Sequence, residues 1–150
     1  MSKLVLLDTA VLGFATNPNA VVNNPVLGWL KKLMRNGDQP FVPEIADYEL
    51  RRELYRVKSQ NALSRLDGIC SALGYLPLNT ETMRLAAKLW ADARNEGRPL
   101  AHEQALDVDV ILLAQSSLLQ EANKNDQIII ATTNVKHFSR YVTASEWQKI

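Results

Sequence analysis

Four stretches of the chain place polar side chains where apolar segments begin or end. Residues 4–13 read LVLLDTAVLG, an apolar run interrupted by a single acid, Asp8. Glu49 lies in YELRREL, within a stretch patterned as an amphipathic helix. Asp107 and Asp109 open DVDVILLAQ, whose other early residues are all apolar, and Asn134 follows the apolar run DQIIIATTN. An acid at the carboxyl end of a buried parallel strand either caps the next segment or faces the ligand crevice of an α/β sheet, and both readings stay open for Asp8. Capping in the favourable first turn of a helix would account for Asp107 or Asp109. Residues two apart on a helix point in nearly opposite directions, so only one of them need face a shared site. Asp109 is assigned to that site, with Asp107 as cap or auxiliary ligand. Acids among apolar neighbours are rarely tolerated unless paired or bound to a metal, and capping, pairing and metal binding all stay open for this set.

These residues must be positioned by strands and helices. Continuous runs of Leu, Val and Ile before Asp8 and Asn134 have the pattern of strands covered on both faces, which belong to parallel sheets. Both ends then fall on one rim. After the first strand a helical turn gives way to an Asn- and Pro-rich loop. Asn24 then caps a helix with Pro25 at its first position, Val26, Leu27, Leu30, Leu33 and Met34 on one face, Lys31, Lys32 and Arg35 on the surface, and Gly37 near its end. A very short strand is expected near Phe41 and Val42, followed by the helix of Ile45, Tyr48, Glu49 and Arg52. A second amphipathic piece stops at Gly74, a strand runs from Tyr75 to Leu78, and helix resumes after Thr80 with Met83, Ala86, Ala87, Trp90 and Ala93 as a core stripe. Residues 98–106 read as a loop, and a central, buried helix follows from about Asp107. The chain closes with a short turn, a brief strand and a fraying tail.

Composition sets the outer bounds. The 150 residues, 47% of them hydrophobic, suit one domain spanning residues 1–150 with a substantial core. No stretch has membrane-spanning length and no secretory leader is evident, so a cytoplasmic protein without membrane contact is expected. Cys70 is the sole cysteine and is expected in the core; it excludes a disulfide framework. His102 and His137 have no zinc-motif spacing and are given structural or exposed roles. A net charge of +1 leaves no global footprint for a polyanion, so any such site must be local.

LLDTAVL, YELRREL, DVDVILLAQ and IIIATTNVKHF, in this order across nearly the whole chain, resemble the signature segments of PIN-domain ribonucleases, specifically the VapC-like toxin branch. The resemblance implies a three-layer α/β/α PIN-like domain around a central, mainly parallel sheet of four or five strands. It also implies a metal-dependent endoribonuclease whose site residues are Asp8, Glu49, Asp109 and Asn134, with Thr132 as the accompanying hydroxyl. Asp8, Glu49 and Asp109 would be the metal ligands. The chain departs from the pattern at Thr133, where many relatives carry Arg, in its additional Asp107, and at Leu113, Ala114 and Gln115, where small alanines are usual. An asparagine at position 134 would lower the charge of one metal site. A cognate antitoxin and homodimers are further implications.

Phosphodiester cleavage requires an activated water and stabilisation of charge on the phosphate and the leaving oxygen. Magnesium or manganese in an all-oxygen cluster meets these needs with one ion, or with two about 3.5–4 Å apart. RNA contact is assigned to Arg51, Arg52 and Lys136, with Arg56 and Arg140 read as solvated. Two other readings compete: a non-catalytic PIN-like interaction module in an RNA-processing or regulatory complex, and a phosphatase using Asp8 as nucleophile. The phosphatase pattern needs a second acid two residues on, where this chain has Ala10.

Overall fold

The computed structural model describes residues 2–20, 24–97 and 106–150. The first strand, β1 (Lys3–Leu7), is buried on both faces, and its alternation divides the core. Leu4 and Leu6 enter one apolar cluster with Ala86, Ala93, Val108 and Leu112, while Val5 and Leu7 enter another with Val11, Leu12, Leu30 and Leu66. Each cluster lies between the sheet and a layer of helices, which gives the expected three layers.

The remaining strands are β2 (Gln39–Pro43), β3 (Gly74–Leu76), β4 (Gln127–Ala131) and β5 (Ala144–Ser145). They form one sheet in the order β3-β2-β1-β4-β5 with every pairing parallel. From β1 the chain builds outward through β2 and β3, then crosses to the other side for β4 and β5. The carboxyl end of β1 therefore sits where the winding reverses, the place where open α/β sheets form their crevice.

The helices are α1 (Thr9–Thr16), α2 (Pro25–Arg35), α3 (Glu44–Arg56), α4 (Gln60–Ala72), α5 (Thr80–Asn95), α6 (Leu106–Ala122) and the single turn α7 (Val135–Phe138). Asn24 caps α2 as expected, its Oδ1 accepting from the amides of Val26 and Leu27 at 3.0 and 3.2 Å. Helix α6 is central and apolar, with Val108, Val110, Leu112, Leu113 and Ala114 buried. No described helix is long and apolar enough to cross a membrane.

Several expectations need correction. The first helix runs for eight residues before its Asn- and Pro-rich exit, because the apolar side chains of Val11, Leu12 and Ala15 bury against the sheet. Strand β2 is longer than expected and includes Pro40 and Pro43, whereas β3 ends at Leu76, short of Leu78. The α5 stripe is only half covered: Ala86 and Ala93 are buried, but Met83 is 45% exposed because α6 packs along one side of the face. Cys70 is partly rather than fully buried. The tail does not fray, since Trp147 packs on Trp29 with ring centroids 5.7 Å apart. The expected loop over 98–106, with His102, lies outside the described residues except for Leu106, which already belongs to α6.

Candidate active site

Asp8 is the residue that leaves β1 and caps α1, and it does more than cap. Its Oδ1 accepts from the Thr9 amide at 2.7 Å, while Oδ2 accepts from the Thr132 hydroxyl at 2.6 Å across the sheet. Thr132 follows β4, is fully buried, and accepts in turn from the Asn134 amide at 2.9 Å. One hydroxyl thus ties the end of β1 to the turn after β4. The Asp8 carboxyl titrates above its ordinary range because of burial; the Thr132 and Thr9 bonds oppose that shift, the charge of Glu49 adds to it, and His137 opposes it.

Asp109 lies in the first turn of α6 and is buried. Its Oδ2 has no hydrogen-bond partner, although Nδ1 of His137 on α7 stands 3.3 Å away. That distance is too long for a good hydrogen bond. Burial first, then the charges of Asp8 and Glu49, push the Asp109 carboxyl up to about 7. Glu49 is half-buried on α3, which packs against α6 and β2, and its Oε2 lies 3.8 Å from the Arg52 guanidinium. Asp8, Glu49 and Asp109 therefore lie near enough for their charges to act on one another.

The other assigned residues divide. Asn134 is exposed beside the crevice, and its side chain makes no capping bond to α7. Asp107 is exposed on the far side of α6, where it lines a cavity of about 360 Å³ with Met83 and Trp90. The two-residue spacing has sent the two aspartates to different surroundings. Arg51 is committed elsewhere: its Nε donates to Asp47 at 3.0 Å and its Nη1 to Asp67 at 2.8 Å, with the Tyr75 hydroxyl also on Asp47 at 2.7 Å. It clips α3 to α4 and β3. Arg52 is half exposed beside Glu49, and Lys136 is exposed on α7.

His137 is the site residue that the sequence reading left out. Spacing contained the clue, because His137 lies three residues after Asn134, one turn along a helix that starts at the crevice.

Among the described residues, no group of three or more His, Cys, Asp or Glu side chains is arranged to hold a metal ion. The residues nonetheless fit a hard divalent cation on two grounds. The donors are oxygens, and one of them, Asp109 Oδ2, is buried without a hydrogen bond. Magnesium commonly takes only one or two carboxylates and keeps water in its remaining positions, so Asp8 and Asp109 would suffice, with Glu49 beyond them.

No protein-family model matches the sequence, and no curated protein matches it. Solved structures do. A chain of the VapBC2 complex from Rickettsia felis, bound to a DNA fragment from its promoter, superposes with a TM-score of 0.68 at 18% identity, covering 96% of this chain and 98% of that one. The DNA-bound VapBC of Salmonella typhimurium gives 0.65 at 18% identity, covering 98% and 99%. VapBC-1 from nontypeable Haemophilus influenzae gives 0.63 at 18% identity, covering 97% and 98%. The chain shares their fold. The PIN-like architecture expected from the four segments is thus the one adopted, along almost the full length of both partners in each comparison.

Proposed function

We propose that this protein is a metal-dependent endoribonuclease, hydrolysing RNA phosphodiester bonds as the toxin of a type II toxin–antitoxin pair. The observation that carries the reading is the burial of Asp8 and Asp109, with Glu49, at the reversal point of the sheet. Mutually repelling acids destabilise a fold, and their concentration in one crevice is the mark of a site whose missing component is a cation. Mg²⁺ or Mn²⁺, when bound, would supply neutralising charge and a more acidic water. Asp8 and Asp109 would hold it, with Glu49 as a further carboxylate, and Thr132 fixes the orientation of Asp8. His137 stands beside Asp109. That the similar structures are VapBC complexes supports an antitoxin as partner; homodimers as the assembly unit belong to the same proposal.

The test is cleavage of a panel of single-stranded and structured RNAs with Mg²⁺, with Mn²⁺ and with chelator. Wild type should cleave only with metal, Asp8→Asn should lose at least about a hundredfold in rate, and millimolar metal should raise the melting temperature of wild type more than that of Asp8→Asn. Full activity of folded Asp8→Asn would overturn the proposal. A competing reading as a non-catalytic interaction module draws on the lack of a preformed three-ligand group among the described residues. It requires that folded wild type neither cleave RNA nor gain stability from metal.

A further inference from the structure

Helix α3 carries, beside Glu49, a face that the proposed chemistry does not use. Tyr48, Arg52 and Tyr55 follow the helical repeat and share one side. All three are unusually open: Tyr48 is 55% exposed, Tyr55 62%, and the Arg52 side chain 50%. One turn earlier, Ile45 on the same side is buried in the apolar core, so the stripe runs outward from the core beside Glu49. Arg52 joins the two regions. Its guanidinium lies 5.2 Å from the centroid of the Tyr48 ring and 3.8 Å from Glu49.

We propose that this stripe is a stacking platform for single-stranded RNA leading into the acid crevice. The choice of RNA rests on the ribonuclease reading; the choice of a single strand rests on the stripe itself. Tyr rings offer flat faces to bases that are unpaired, and Arg52 offers a cation to the phosphate between them. The spacing suits this use. Seven residues of helix place Tyr48 and Tyr55 about 10 Å apart along the axis, which two splayed nucleotides can span and two stacked base pairs cannot. Charge agrees: the exposed residues from 52 to 58 include Arg52, Arg56 and Lys58 against Glu53 alone, a local excess of positive charge in a chain of net charge +1. Arg56 is paired with Glu53, whereas Arg52, shared between Glu49 and the Tyr48 ring, is the cation placed on the stripe.

The experiment is binding, kept apart from cleavage. Fluorescence anisotropy in chelator, with short single-stranded RNA, would be measured for wild type, Tyr48→Ala, Tyr55→Ala and the corresponding Phe variants. Each Ala variant should bind at least about fivefold more weakly, and each Phe variant should stay near wild type. An oligonucleotide with abasic positions should bind wild type and the Ala variants alike, an equality that a purely structural loss would not produce. Unchanged affinity in the Ala variants would overturn the platform, as would equal losses on the abasic oligonucleotide. If the variants instead weaken only self-association or the binding of a protein partner, the face is a protein interface and the proposal fails. Should wild type bind RNA through these rings and never cleave it, the nuclease reading falls and the platform stands.

Discussion

Asp109 holds its proton to about pH 7 in the folded chain, whereas the same carboxyl in an unfolded chain ionises near its ordinary 3.8. The sign of the consequence follows. Well below 3.8 both states are protonated and the full stability is present; as pH rises through 3.8 towards 7 the unfolded chain releases a proton that the fold still keeps, and stability falls. About 4 kcal/mol is at stake, and Asp8 acts in the same direction. In chelator, Asp109→Asn should therefore unfold at higher urea concentration than wild type above pH 7 and at nearly the same concentration near pH 4. Parallel pH profiles for the two proteins would contradict this account. Asp8 and Asp109 stood out in sequence because each interrupts an apolar pattern, whereas Glu49 was named through the resemblance. His137 was not, since its meaning comes from Asp109 on another element. Arg51 misled for a related reason: a basic residue beside Glu49 looks free in sequence, and its ties to Asp47 and Asp67 depend on how α4 packs.

Strand β3 sits at the sheet edge, and its first residue explains how it stays there. Gly74 pairs in register with Phe41 of β2, whose ring lies over it; a Cβ at position 74 would stand 2.6 Å from Cδ1 and 2.7 Å from Cε1 of that ring. Gly74→Ala should cost about 1–3 kcal/mol, read by chemical denaturation, and Phe41→Leu in the same chain should recover part of it. No recovery would place the strain elsewhere. Elements with strong local signals were legible, including β1 and β4 as uninterrupted apolar runs and α2 with its Asn24–Pro25 start. Strand β2 was understated because Pro40 and Pro43 look like breakers, yet both fit within a strand bordered by the first strand and a short edge strand. The extent of the α5 stripe was misread because periodicity identifies an apolar face and says nothing of which half a neighbour covers.

At the scale of the molecule, the two apolar clusters on either side of the sheet are closed by different parts of the chain. Trp147, in the final 3₁₀ turn (Trp147–Lys149), seals the α2 side against Trp29. Trp147→Ala should cost about 1–3 kcal/mol and red-shift the emission of Trp29, both measurable in one denaturation series. An unshifted spectrum would show that the tail covers little. A contact between residues 29 and 147 leaves no local trace, which is why the tail looked free in sequence. The central position of β1 has a further consequence for synthesis. Its second edge is completed only by residues 127–131, and the hydroxyl that secures Asp8 arrives just after them. A ribosome making this chain must deliver nearly all of it before the site can close, so nascent and prematurely terminated products lack an assembled site.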